Sequence, residues 1–286
     1  MQIVGDEQRK KAEALRALHS GPETLVLVNV WDAGSARIVE DLGFPAIATT
    51  SAGIAFSKGL PDGQKISSER MMAAVAEIVG AVNVPVTADA EAGYGDTPEH
   101  AAETASNVVM TGAVGMNFED ATGRAEQPLA DPKLQVERIH AIRETAAQMR
   151  VPLVLNARTD VYLLQVGDPA KRYDETVKRL EAYRDAGADC LFVPGVRDPE
   201  MIGRLVSDLR CPLNILAGAG SLSIAELTAL GVKRISLGSG PMRAALGLLR
   251  RLGQEVRTEG TYSNMGGAPS HAEMNQLMSA TRKAGT

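Results

Sequence analysis

Eight short apolar runs, at residues 25–30, 46–51, 84–91, 113–120, 151–160, 190–195, 211–218 and 232–240, alternate with amphipathic stretches such as 69–82 and 104–111. Runs of that length read as buried strands and the stretches between them as helices. Several helical stretches end on a glycine just before the next run, at Gly43, Gly112, Gly187 and Gly231, where a helix ends most cheaply on a residue that tolerates left-handed backbone. Strands that alternate with helices pair in parallel, and eight such units in about 220 residues fit a (β/α)8 barrel better than a doubly wound sheet, which needs fewer strands. The expected α/β architecture is a single domain: an N-terminal helix within 1–24, the barrel over 25–240, and further helices within 241–286.

With 286 residues, 44% of them hydrophobic, and a net charge of -5, the chain has no basic stretch that would attract nucleic acid or an anionic membrane. No segment reaches the roughly 20 apolar residues that span a bilayer, and the first ten residues lack the basic start and apolar core of a signal peptide. A cytoplasmic location is expected. Cys190 and Cys211 are too few for a disulfide framework, lack metal-ligand spacing and fall at strand starts, the closed end of a barrel. His19, His100, His140 and His271 fall in helical patterns, and none is placed as a catalytic base.

The third, fourth and fifth runs end on charged residues: Asp89 and Glu91, then Glu119, then Arg158 with Asp160. A charge in an apolar strand requires compensation for its desolvation, and barrel enzymes take their catalytic groups from the C-terminal strand ends. Residues two apart on a strand share a face, which groups Thr87 with Asp89 and Glu91, Asn117 with Glu119, and Asn156 with Arg158 and Asp160. Asp89, Glu91 and Glu119 are hard oxygen ligands, suited to Mg²⁺ or Mn²⁺ rather than zinc. A divalent cation beside an arginine can bind a 2-oxo acid or small dicarboxylate, the cation at the keto and carboxylate oxygens and Arg158 at a carboxylate. Enolate chemistry would follow. The alternative is a barrel-top salt-bridge cluster without catalysis.

The strings Thr50-Ser-Ala-Gly53, Gly59-Leu-Pro-Asp62-Gly, Ala88-Asp-Ala-Glu-Ala-Gly-Tyr-Gly95, Asn117-Phe-Glu-Asp120 and Asn156-Ala-Arg-Thr-Asp160 resemble the isocitrate lyase and phosphoenolpyruvate mutase superfamily, in its order. The resemblance implies a Mg²⁺-dependent (β/α)8 enzyme that makes or breaks a carbon–carbon or carbon–phosphorus bond through a pyruvate-like enolate. It implies Asp89 as the direct metal ligand, with Asp62, Glu91 and Glu119 acting mostly through water. It assigns Ser51 and the amides of Ala52 and Gly53 to a substrate carboxylate or enolate oxygen, and Arg158 to the opposite carboxylate.

The departures narrow the reaction. Isocitrate and 2-methylisocitrate lyases resemble one another in a Lys-Lys/Arg-Cys-Gly-His segment after the Glu-Asp pair, whereas residues 121–130 here read Ala-Thr-Gly-Arg-Ala-Glu-Gln-Pro-Leu-Ala. Arg124 is a poor substitute for a proton donor because it holds its proton. The sixth run ends Phe192-Val-Pro-Gly195, without the Glu or His of relatives. By elimination, a carbon–carbon lyase reaction with little proton transfer is favoured: decarboxylation, or cleavage of a small di- or tricarboxylate like that of 2-methylisocitrate lyase. Carbon–phosphorus chemistry, as in phosphonopyruvate hydrolase or a phosphonomutase, is the nearest alternative.

Tyr94, between Gly93 and Gly95, is placed to donate a proton or hydrogen bond, and Trp31 and Asn214, at the ends of the first and seventh runs, are expected to line the pocket; packing is an equal reading for Trp31. Lys58 and Lys65, in the loop after the second run, read as solvated. Gly-rich segments at 216–221 and 236–240 raise a second reading, a phosphate-binding barrel isomerase or synthase, and the missing loop acid a third, a binding barrel without catalysis. After the barrel, stretches 241–259 and 271–283 read as helices joined by a Gly-rich connector. The superfamily resemblance implies a helix beyond residue 240 exchanged between subunits of a homodimer or homotetramer.

Overall fold

The computed structural model describes residues 5–279. Its strands are β1 (Leu25–Leu27), β2 (Asn29–Val30), β3 (Ile47–Thr49), β4 (Val86–Asp89), β5 (Gly115–Glu119), β6 (Val154–Arg158), β7 (Cys190–Phe192), β8 (Leu213–Leu216) and β9 (Arg234–Ser236). All pair in parallel, in the order β1-β9-β8-β7-β6-β5-β4-β3-β2. The two ends of that sheet are one stretch of chain broken at Val28, with β1 on β9 and β2 on β3. The sheet therefore closes into a ring of eight strand positions, and the (β/α)8 expectation holds.

The helices are α1 (Asp6–Ser20), α2 (Ala33–Asp41), α3 (Ser51–Ser57), α4 (Ser68–Ala81), α5 (Pro98–Met110), α6 (Pro132–Gln148), α7 (Arg172–Asp185), α8 (Pro199–Leu209), α9 (Ile224–Ala229), α10 (Gly240–Thr258) and α11 (His271–Ser279). Local chemistry sets several boundaries. Thr97 caps α5 by accepting the His100 amide, with Pro98 in its first turn, and the four expected helix-ending glycines all have left-handed backbone, at φ 83, 90, 108 and 88 for Gly43, Gly112, Gly187 and Gly231. α1 covers the N-terminal ends of the strands, where Gln8 donates to the Val109 and Ala113 carbonyls and Arg16 to those of Pro152 and Leu153. The C-terminal ends remain open for a site. Both cysteines are free, Cys190 at the start of β7 with burial pushing its thiol up to about 12.

One expectation is corrected. The third apolar run stops being a strand at Asp89, and Glu91 lies beyond it with left-handed backbone (φ 49), so alternation along a strand does not orient Glu91. At the C-terminus, α11 lies against α2 of this chain, and residues 280–283 of the expected last helix lie outside the described residues. It is α10 that leaves a face uncovered. Along its 19 residues only Met242 and Glu255 are buried, and Leu246, Leu249 and Val256 continue the Met242 stripe at 41%, 62% and 45% exposure. No helix among the described residues is long and apolar enough to cross a membrane.

Candidate active site

Asp89 closes β4 and is held by the start of α3: its Oδ2 accepts from the Ser51 amide at 3.0 Å and from Ser51 Oγ at 2.8 Å. Its own amide donates to Thr49 Oγ1 at 2.9 Å. The second carboxylate oxygen, Oδ1, is buried with no hydrogen-bond partner. An orphaned buried carboxylate oxygen carries a desolvation cost that a ligand would remove. The expected anion cradle at the start of α3 is partly engaged within the protein, because the Ser51 amide serves Asp89 and the Gly53 amide donates to Thr50 Oγ1 at 3.2 Å. Ala52 keeps the middle position of the three.

Glu91 is clamped rather than aimed outward. The Gln64 amide donates to Glu91 Oε2 at 2.6 Å, the Tyr94 hydroxyl donates to Oε1 at 3.1 Å, and Gln64 Oε1 accepts the Tyr94 amide at 2.7 Å. Burial, with Asp89 and Asp62 nearby, pushes the Glu91 carboxyl up to about 7. Burial and the adjoining Glu91 carboxylate raise the Tyr94 phenol as well. Gly93 is required in this loop: at φ 81 an added Cβ would come within 2.7 Å of the Phe118 ring.

Arg158, at the end of β6, carries the opposite charge. Its Nε and Nη2 donate to the two oxygens of Asp160 at 2.5 and 2.8 Å, and its Nη1 lies 2.7 Å from Glu119 Oε2. Burial works against the guanidinium charge, but Glu119 and Asp160 outweigh it and hold Arg158 above its ordinary range. Its carbon Cζ sits 5.6 Å from the centre of the Phe192 ring. Asp160 is itself fixed through Asp120, fully buried, whose carboxylate accepts from the Asp160 amide, Thr159 Oγ1 and the Tyr183 hydroxyl at 3.0, 2.7 and 2.8 Å.

These elements enclose a cavity of about 210 Å³ at the C-terminal ends of the strands, lined among others by Ser51, Ala52, Asp62, Asp89, Asn117 and Arg158. None of the described residues lining it is Cys, His or Lys. Glu91, Tyr94 and Glu119 lie outside this lining: Glu119 is joined to it through Arg158, and Glu91 and Tyr94 are tied to each other and to Gln64. Trp31 and Asn214 are not among the lining residues: Trp31 packs beside Gly53 on the core, and Asn214 lies fully buried, accepting from Ser236 Oγ at 3.3 Å. Lys58 and Lys65 are exposed, in accord with their solvated reading. Arg124 pairs with Asp96 at 2.6 Å on the surface. The loop that carries it folds back on itself, with Ala121 bridging Leu129 and the Ala130 amide donating to the Asp120 carbonyl at 2.8 Å.

Three polar lining residues that lie within strands had not been singled out as site residues. Asn29 ties the end of β3 to the loop after β9, donating to the Thr49 carbonyl and accepting from the Leu237 and Gly238 amides, each at 2.8 Å. Asn117 and Ser236 face the same space. The signal was present in each, a polar residue inside an apolar run, though nothing in the run tells a ligand-facing amide from a structural one.

The donor set fits a hard divalent cation at one point, the unpartnered Oδ1 of Asp89, with the Asp62 carboxylate on the same cavity wall. Among the described residues no three Asp, Glu, His or Cys side chains are close enough to share an ion. Of the four carboxylates expected at the site, Asp62 and Asp89 line the cavity, and Glu91 and Glu119 lie outside its lining.

The phosphoenolpyruvate phosphomutase family pattern matches residues 15–257. The chain belongs to that family, within the isocitrate lyase and phosphoenolpyruvate mutase superfamily of lyases and mutases. It is similar to a crystal structure described as a candidate lyase/mutase from Burkholderia cenocepacia J2315, 43% identical, with a TM-score of 0.92 over 97% of this chain and 99% of that one. An uncharacterised protein of Mycobacterium tuberculosis (strain H37Rv) is 37% identical over 80% of this chain and 83% of its own. An oxaloacetate decarboxylase of Rhodopseudomonas palustris (strain BisB5) is 28% identical over 83% of this chain and 81% of its own.

Proposed function

We propose that the protein is a Mg²⁺-dependent carbon–carbon lyase acting on a small 2-oxo or 2-hydroxy di- or tricarboxylate through an enolate. The observation that carries this reading is the cavity of about 210 Å³, which joins an unpartnered carboxylate oxygen on Asp89 to the Arg158 guanidinium and contains no thiol, imidazole or amine among its described lining residues. The similarity to an oxaloacetate decarboxylase supports the same class.

When bound, Mg²⁺ would draw electron density from the oxygens of a 2-oxo acid and stabilise enolate charge. Asp89 would hold it, with Ser51 fixing the rotamer through Oδ2, and Mn²⁺ would suit the same oxygens. Arg158 has five N–H donors, of which three serve Asp160 and Glu119; the remaining two would bind a substrate carboxylate. The amide of Ala52 would take an oxygen at the opposite wall. In a decarboxylation the bond to the departing carboxylate breaks, its electron pair moves into the enolate, and water returns the proton. That sequence needs no side-chain acid in the cavity.

A carbon–phosphorus substrate is the second reading. It is favoured by an adjoining cavity of about 770 Å³, lined by Arg197 and Gly218 and by Ser239 and Arg243 at the start of α10, where a phosphonate would find two cations. A phosphate-binding isomerase or synthase would use the same cavity, but it gives Asp89 and Arg158 no role.

The assay offers oxaloacetate, 2-methylisocitrate, isocitrate, dimethylmalate and phosphonopyruvate with and without Mg²⁺, following 2-oxo acid and phosphate. Mg²⁺-dependent release of a 2-oxo acid without phosphate supports the lyase. Phosphate release supports the second reading, and binding without turnover of any member would mean a 2-oxo acid-binding barrel. We also propose a homodimer or homotetramer built on the open face of α10.

A further inference from the structure

The interior of the ring beneath the cavity is polar where barrels of this kind are usually filled by branched apolar side chains. Arg234 on β9 is fully buried, and among the described residues no carboxylate lies within ion-pairing distance of it. Its Nη2 donates to Asn117 Oδ1 at 3.0 Å, its Nη1 lies 3.4 Å from His19 Nε2, and its Nε has no partner. His19 Nδ1 is 2.8 Å from the Leu15 carbonyl, so Nδ1 carries the ring proton and Nε2 faces Arg234 as an acceptor. A buried guanidinium without an anion is costly. It faces upward through Asn117 toward a cavity whose walls include Asp62 and Asp89.

A guanidinium only donates. The Asn117 atom that meets Arg234 is therefore the carbonyl oxygen, and Asn156 Nδ2 donates to the same oxygen at 2.8 Å. With Oδ1 fixed downward by two donors, the amide nitrogen of Asn117 is the end left for the cavity that this residue lines. We propose that Asn117 donates a hydrogen bond from Nδ2 to the substrate oxygen that gains charge, and that Arg234 is the positioning residue that sets and polarises this amide from below. The assignment rests on the lyase reading above. A bound anion would supply the negative charge that no carboxylate among the described residues offers Arg234, and a donor polarised by a buried cation stabilises developing charge without reorganising.

The test uses the full chain with Mg²⁺ and oxalate, a planar dianion that stands in for the enolate of a 2-oxo acid, read by calorimetry alongside thermal melting. Asn117→Asp keeps a partner for Arg234 but replaces the donor by an acceptor; it should melt no lower than the wild type and bind oxalate more weakly by roughly a hundredfold. Arg234→Met removes the charge with similar volume; it should remain folded, since a buried ion replaced by an apolar side chain is often neutral, and weaken oxalate by about tenfold. Wild-type affinity in folded Asn117→Asp would overturn the donor role, and wild-type affinity in folded Arg234→Met would overturn the positioning role. An Asn117→Asp chain that fails to fold would also overturn it, because a carboxylate facing Arg234 should not be worse than an amide. If Arg234→Met alone fails to fold, Asn117→Asp decides. A wild type that binds no oxalate with Mg²⁺ would remove the lyase reading itself, an outcome distinct from an unaffected variant.

Discussion

The backbone amide of Gln64 donates to Glu91 Oε2 at 2.6 Å, and both residues hold left-handed backbone, at φ 58 and 49. Two non-glycine residues in that region on facing loops carry strain of about 1 kcal/mol or more each, so the contact between them is maintained by the surrounding bonds. Tyr94, at φ 52 and hydrogen-bonded to both, is the third member.

Gln64→Gly and Gln64→Ala therefore should not rank as usual. Both lose the side-chain bond to the Tyr94 amide, but only glycine relieves the backbone, so Gln64→Gly should be the more stable variant by about 1 kcal/mol in urea denaturation. Equal stability would mean that the left-handed turn carries no strain.

Asp89→Ala should abolish the rise in melting temperature produced by Mg²⁺, because binding to the native state alone is what stabilises it. An unchanged thermal response to Mg²⁺ would rule out Asp89 as the direct ligand.

Arg158→Lys tests which partner the guanidinium serves. A lysine cannot reproduce the two bonds to Asp160 and the contact to Glu119 together, so a loss of about 2 kcal/mol or more in folding stability is expected, with a parallel loss of oxalate affinity. Retained stability with lost oxalate binding would assign the fork to the substrate alone, and retained oxalate binding would remove the substrate role.

His19 should mark the pH dependence of folding. Burial, reinforced by the charge of Arg234, lowers it from 6.5 to about 4. The unfolded chain takes up this proton first, so the contribution is intact above pH 6.5 and is lost as pH falls toward 4, at about 1.4 kcal/mol per pH unit. Relative to His19→Gln, the wild type should lose about 2 kcal/mol between pH 7 and pH 5 in urea titrations. A constant difference between the two proteins would show that the imidazole titrates normally.

The proposed oligomer gives a direct test: Leu249→Asp, which places a charge in the centre of the uncovered stripe on α10, should yield a monomer in light scattering where the wild type yields a dimer or tetramer. An oligomer unaffected by that change would place the interface elsewhere.

What could be read from the chain was what local chemistry determines. Gly43, Gly112, Gly187 and Gly231 end helices because of their own backbone freedom, and Asp89, Glu119 and Arg158 were conspicuous because a charge in an apolar run needs a reason. Gln64 was not legible, since its importance lies in a φ angle and in a partner 27 positions away. Asp160 looked like a third residue on a shared strand face and proved to be the bidentate partner of Arg158. Arg234 falls beside Lys233 and reads as the polar entry to a strand; only ring closure places one side chain in the interior, while the neighbouring lysine reaches the Gly21 carbonyl. Trp31 sits at a strand end as expected, yet packing claims it.

The interruption of the first strand at Val28 has a mechanical meaning. Seven of the eight strand positions are continuous, whereas the first changes neighbours partway along, and the Asn29 side chain fastens the two flanks there through three hydrogen bonds. The barrel is in effect a strip buckled at one clasp. Fluctuations that widen the mouth should concentrate at that clasp, giving the amides of Leu237 and Gly238 faster hydrogen exchange than those of β5 and β6 on the opposite side, and making the seam the natural place for the ring to part when it is pulled open.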